Sequence, residues 1–258
     1  MPGEAAPPAG RRIYRNAPIV EAVINIQVRF PEGQFERLLP SGDSAFSGDF
    51  PQKQEMRLLR MDFQFGPDGL KTKSPPMDKG PPAGLKFSSA ANDRVLQLRQ
   101  EGFAYSHMAP YTNWEVFSGE ARPLWQRFID VFQPERVTRL AARYINRLRL
   151  PPGEIRLQDY MHFYPETPPA FGSIQGLMAQ VQLPQPSVGQ KALALLTLAS
   201  EPSADPAFQP MVLDIDVFEM VDLSPTDPVV WHQLEALRDK KNELFEAALT
   251  ERMKETFV

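Results

Sequence analysis

Four arginines crowd one short stretch of this chain: Arg139, Arg143, Arg147 and Arg149, in Arg139-Leu-Ala-Ala-Arg-Tyr-Ile-Asn-Arg-Leu-Arg149. Read as a β-strand, the stretch puts all four on one face with Ala141 and Ile145, because successive side chains alternate. Guanidinium forks arrayed this way bind phosphate or carboxylate bidentately. Read as a helix, Arg136, Arg139, Arg143 and Arg147 still share a face, so the cluster survives either assignment. The competing reading is a solvated or salt-bridged face, since exposed ion pairs contribute little.

Asp214 and Asp216, in Val212-Leu-Asp-Ile-Asp-Val217, are the second candidate. A strand projects both carboxylates to one side, where they could ligate Mg²⁺ or Mn²⁺. No further acid or lysine follows at a metal-nuclease spacing; Asp222 shares the face, but Phe218 and Met220 intervene. The plainer reading has both aspartates in water or paired with arginines of a neighbouring strand. Lys241 interrupts an apolar helical stripe between Leu237 and Leu244-Phe245. It is either a buried functional amine or a lysine whose ammonium reaches the surface. Glu21, one acid in an apolar run, points outward or meets the arginines. His107, His162 and His232 are too scattered for a metal motif and read as surface or packing residues. No nucleophile elbow, phosphate loop or dinucleotide fingerprint occurs.

Elements must position these groups. The first part of the chain reads as strand 18–30, a short helix near 32–39, and strands near 54–65, 84–89 and 94–107. A helix follows over 113–132, capped by Asn113 and kinked or split at Pro123. The second part reads as strand 136–150, a short helix near 155–162, and strands near 173–183, 190–200 and 210–222. A long helix over 228–256 closes it, with Asp227-Pro228 as a start signal. Residues 136–149 also fit a helix, through Val137, Leu140, Ala141, Tyr144 and Leu148. The strand is preferred because the chain runs a similar course twice. Phe30-Pro31 and Leu150-Pro151 end matching strands about 120 residues apart, and Trp114, Phe117, Phe128 and Phe132 align with Trp231, Leu234, Phe245 and Leu249 at an offset of about 117.

The expected fold is therefore α+β. A largely antiparallel sheet is built from two duplicated β-α-β-β-β-α halves, 14–132 and 133–258, with two long helices packed on it. TATA-binding-protein-like and helix-grip folds have this grammar. Residues 1–13 read as a disordered Pro/Ala-rich tail, 14–258 as one domain, and Ser74 to Gly84 as a mobile loop. A net charge of −4 gives the whole molecule no electrostatic pull toward nucleic acid, and zero cysteines remove thiolate chemistry. No run approaches the roughly 18 apolar residues of a membrane span. A cytoplasmic protein is expected.

Three segments carry a resemblance: Tyr14-Arg-Asn-Ala-Pro-Ile-Val-Glu-Ala-Val23, Arg139 to Arg147, and Lys241-Asn-Glu-Leu-Phe-Glu-Ala-Ala-Leu-Thr250. In that order they resemble a family of uncharacterised proteins of about this length, scattered sporadically across bacteria and archaea. The resemblance spans Arg12 to Phe257 and implies no activity, cofactor or catalytic residue. Sporadic distribution implies lateral transfer, of which defence or mobile-element cargo is one class. The expected function is a binding or interaction protein, without a cofactor, whose Arg139, Arg143, Arg147, Arg149 and Lys241 contact an anionic ligand, nucleic acid or partner protein. The alternatives are a Mg²⁺- or Mn²⁺-dependent phosphodiester hydrolase using Asp214 and Asp216, and a carrier of an apolar small molecule.

Overall fold

Alternation governs the centre of the molecule. In β1 (Ile19–Arg29), Ala22, Ile24, Ile26 and Val28 are buried, while Glu21, Val23, Asn25 and Gln27 between them are half-buried. β1 pairs antiparallel with β8 (Arg136–Leu150), setting Ala22 against Tyr144, Ile24 against Ala142 and Ile26 against Leu140. All six belong to one hydrophobic cluster, so both strands turn the same side to the core. The computed structural model describes residues 12, 14–57, 62–66, 69–73, 82–153, 156–168, 170, 172, 174, 176–202 and 205–258. The first eleven residues and 74–81 of the expected loop lie outside these.

The fold is α+β with a nine-stranded antiparallel sheet. The other strands are β2 (Gln52–Arg57), a separate hairpin of β3 (Asp62–Gly66) and β4 (Gly69–Lys73), β5 (Pro82–Ser88), β6 (Arg94–Arg99) and β7 (Gly102–Met108). Then come β9 (Met178–Pro184), β10 (Ala192–Ser200) and β11 (Gln209–Leu223). The sheet order is β2-β5-β6-β7-β1-β8-β11-β10-β9. Outward from the central pair, β7, β6 and β5 on one side match β11, β10 and β9 on the other in chain order, reversed.

The helices α1 (Gln34–Phe46), α2 (Trp114–Phe132) and α3 (Val229–Ala248) cover the core face. Phe103 of β7 meets Trp125 of α2 edge-on at 5.6 Å, and Phe128 stacks on Trp125 at 5.3 Å. From α3, Leu234, Leu237 and Phe245 enter the same cluster. No described helix packs on the opposite face, and none is long and apolar enough to cross a membrane.

Both long helices start as their sequences direct. Asn113 Oδ1 accepts from Val116 N at 2.8 Å, and Asp227 Oδ1 accepts from Val229 N at 2.9 Å. Pro123 does not split α2, which runs unbroken from Trp114 to Phe132. Pro123 and Gly119, whose carbonyl loses its bond there, both face solvent, where water can satisfy it.

Several boundaries differ from expectation. The run 94–107 is a hairpin, turning at Gln100-Glu101 into Gly102, where φ is +140°. A Cβ on Gly102 would lie 2.2 Å from Ile26 O, so only glycine fits beside β1. The first half thus holds more strands than β-α-β-β-β-α allows. The expected strand 54–65 becomes β2 and β3, the helix near 32–39 runs on to Phe46, and that near 155–162 is a single 3₁₀ turn, Leu157–Asp159. The closing helix breaks at Leu249-Thr250, where Thr250 caps α4 (Glu251–Lys254) by accepting from Met253 N.

Phe245 is 8% exposed and packs edge-on against Tyr14 and tilted against Phe257. Phe245→Ala should lower the unfolding free energy by about 3–5 kcal/mol in denaturant titration. A loss under about 1 kcal/mol would place this side chain outside the core.

Candidate functional site

The face left bare of helices carries the arginines. The alternation that buries Leu140, Ala142, Tyr144 and Leu148 turns Arg139, Arg143, Arg147 and Arg149 to the other side of β8. β11 sets Asp216 opposite Arg143 and Asp214 opposite Ile145. The guanidiniums of Arg139 and Arg143 each reach past the direct neighbour to a carboxylate further along β11. Arg139, opposite Met220, donates to Asp216 Oδ2 at 2.7 Å and to Asn25 Oδ1 at 2.9 Å. Its guanidinium also lies 4.2 Å from the Phe218 ring centroid. Arg143 grips Asp214 bidentately, Nε to Oδ1 at 2.9 Å and Nη2 to Oδ2 at 2.6 Å. Arg147 Nε lies 2.8 Å from Glu201 Oε2, and Arg149 lies 4.0 Å from the Phe208 ring centroid.

Exposure divides these pairs. Arg139 and Asp216 are 15% and 16% exposed, Arg143 is 46% exposed over an Asp214 at 15%, and Arg147 and Glu201 are 47% and 37% exposed. Burial pushes the Asp216 carboxyl up despite Arg139 beside it. The hydrogen bond from Arg143 to Asp214 raises the Arg143 guanidinium further. Removing Arg139 would leave Asp216 buried and uncompensated, so this pair is structural. Beyond β1, a shallow hollow of about 320 Å³ opens on the same face, lined by Glu21, Lys86, Ser88, Gln97 and Met108 among others.

The structure therefore brings Arg139, Arg143, Arg147, Arg149, Asp214 and Asp216 together, as the alternation implies. It separates Lys241 from them. Lys241 is buried on α3, with Nζ 3.6 Å above the Tyr144 ring, on the core side of β8. Tyr144 in turn shares a hydroxyl hydrogen bond with Tyr111 at 3.0 Å. Among the described residues no group of three acids or histidines is placed to hold a metal ion.

Sequence reading missed a second polar centre. Glu120 of α2 accepts from Arg94 Nε, Tyr105 Oη and His107 Nε2, each at 2.7 Å. Partial burial alone would raise its carboxyl, but the three donors hold it at about 2. An ionised carboxylate only accepts, so the His107 proton sits on Nε2. Burial, with Arg94 nearby, keeps that imidazole below its ordinary range, and it is a core residue rather than a surface one. The available signal was Tyr105-Ser-His107, two polar rings on one face of a strand.

The three segments that carry the resemblance converge. Tyr14 Oη donates to Glu246 Oε1 at 2.8 Å beside Phe245, and Tyr144 lies beneath Lys241. No family model matches the chain, and no curated protein matches it.

Glu120→Gln removes the ionised acceptor. Its folded pKa, about 2, lies below the ordinary 4.5, so its stabilisation is complete above the ordinary value and disappears as pH falls through the folded one. Denaturant midpoints at successive pH values should therefore show the largest deficit of Glu120→Gln near neutrality. The deficit should shrink between about 4.5 and 2. A deficit independent of pH across that window would deny the carboxylate this role.

Proposed function

We propose that this is a binding protein whose helix-free sheet face receives an extended anionic ligand, nucleic acid being the leading class. The observation that carries this is the rank of four arginines on the central strand of that face. Arg143 and Arg147 are half-exposed; the Glu201 carboxylate on Arg147 is 37% exposed, whereas Asp214 on Arg143 is 15% exposed. The Arg147–Glu201 pair, exposed on both sides, contributes only about 0–1 kcal/mol, so an incoming phosphate could replace Glu201 on its guanidinium at small cost, while Arg143 keeps Asp214 and offers its exposed edge. Arg139, enclosed by Asn25, Asp216 and Phe218, serves as the fixed base of the row. Lys241 stays out of this surface, on the other side of the sheet.

The metal-dependent hydrolase gains no support from the geometry, because Mg²⁺ or Mn²⁺ at Asp214 and Asp216 would have to displace two guanidiniums. The apolar carrier fares similarly: Trp125, Phe128, Leu234 and Leu237 fill the layer between sheet and helices. A cytoplasmic setting, and cargo of a defence or mobile-element system, belong to this proposal through the resemblance alone. So does the duplication, with its TATA-binding-protein-like or helix-grip-like label. The mirrored strand order supports it, and superposing 133–258 on 14–132 should bring Phe245 onto Phe128.

Binding to short single- and double-stranded DNA, RNA and nucleotides should fall steeply with salt, as each neutralised phosphate releases counterions. Arg143→Glu with Arg147→Glu should abolish most of it, and Arg147→Glu alone, at the pair exposed on both sides, should weaken it while leaving the thermal midpoint nearly unchanged. Absence of binding at low salt, or binding indifferent to the double substitution, would sink the reading.

A further inference from the structure

The two edges of the sheet are built differently. β2, at one end, reads Gln-Lys-Gln-Glu-Met-Arg, with charges at Lys53, Glu55 and Arg57 and a register shift between Met56 and Arg57. Charges and irregular register are how soluble proteins blunt an edge whose backbone groups would otherwise pair with another strand. β9, at the other end, reads Met-Ala-Gln-Val-Gln-Leu-Pro and pairs regularly with β10 alone among the described strands. No charged residue lies anywhere between Glu166 and Lys191. Exposed large apolar side chains gather there as well: Met178 and Leu183 on β9, and Ile174 just before it.

The outward hydrogen-bonding groups of β9 can be assigned. Leu177 O accepts from Ser200 N, and Gln185 N donates to Ala192 O, so the bonds to β10 at both ends come from odd-numbered residues. Alternation then turns the backbone groups of Met178, Gln180 and Gln182 outward, together with Pro184 O. We infer that this edge is an interface with a second copy of this chain, two β9 strands pairing antiparallel about a two-fold axis at Val181.

The chemistry of the strand fits itself in that register. Gln180 exchanges both backbone bonds with Gln182 of the second copy, and the reverse, while Met178 N donates to the carbonyl of the second copy's Pro184. Pro184, lacking an N–H, falls at the end of the ladder, where it leaves the fewest groups unpaired. Val181 meets its own counterpart, and Ala179 meets Leu183, as the closer non-hydrogen-bonded pairs on the helix-bearing side. The amides of Gln180 and Gln182 face each other on the bare side. Neither strand carries a charge to repel the other, and one sheet runs continuously across both copies. This inference does not rest on the arginine surface.

Light scattering over a dilution series should give twice the 29.2 kDa chain mass at high concentration. Gln180→Pro should yield a monomer with unchanged circular dichroism, because the N–H it deletes points outward and serves no bond to β10. If that variant fails to fold, Gln180→Lys with Gln182→Lys sets charges against charges and should likewise yield a monomer. The chain has no cysteine, so Val181→Cys reports the register alone. Facing residues there lie about 4.5 Å apart at Cα, within disulfide reach, and mild oxidation should link two chains. A wild-type chain monomeric at every concentration overturns the inference, as does a dimer that survives in the folded edge variants. A dimer lost in them but never linked through Val181→Cys overturns the register at Val181.

Discussion

The antiparallel pairing of β1 with β8 is the constraint on which the rest depends. Once Ala22, Ile24 and Ile26 oppose Tyr144, Ala142 and Leu140, both central strands commit one side to the core. A one-residue slip of either strand would exchange that side for Glu21, Asn25, Arg139 and Arg143, so the register is strongly specified. Every helix must then join the apolar side, because only there can Trp125, Phe128, Leu234 and Phe245 be buried. The bare side is the geometric remainder of the same choice.

That remainder carries charge without being simply basic. Arg139, Arg143 and Arg147 each face an acid, which limits both the desolvation cost of the row and its long-range field. What distinguishes the arginines from one another is enclosure. Arg139 is held by an amide, a carboxylate and a ring, whereas Arg143 and Arg147 are half-exposed. Its arginines are fixed in position by their partners, and the chain as a whole, of charge −4, supplies no net attraction for an anion.

The outward strand order is mirrored about β1 and β8, yet the periphery is not. The first half adds β2 and the β3–β4 hairpin, and its last sheet strand has a charged, irregular edge. The second half stops at β9, uncharged and regular. Both flanks of the β1–β8 pair turn one side to the same core. The two rims differ in charge and in register.

The sequence by itself determined the helix starts at Asn113 and Asp227 and the common face of the arginines, because these follow from periodicity and capping within a few residues. By contrast, β8 fitted a helix as well and was preferred as a strand only through the likeness of the two halves. It also placed Asp214 and Asp216 on one side of β11. Two positions escaped it locally: Gly102, whose backbone must lie against Ile26, and Pro123, tolerated because its face meets water. Only the tertiary structure decided which acid each arginine meets, since Arg139 with Asp216 and Arg143 with Asp214 depend on the register between distant strands. It alone set Lys241 over Tyr144, away from the arginines, and gathered Arg94, Tyr105 and His107 on Glu120. Periodicity tells which side of its own element a residue occupies; what lies across from it is fixed by packing between elements far apart in the chain.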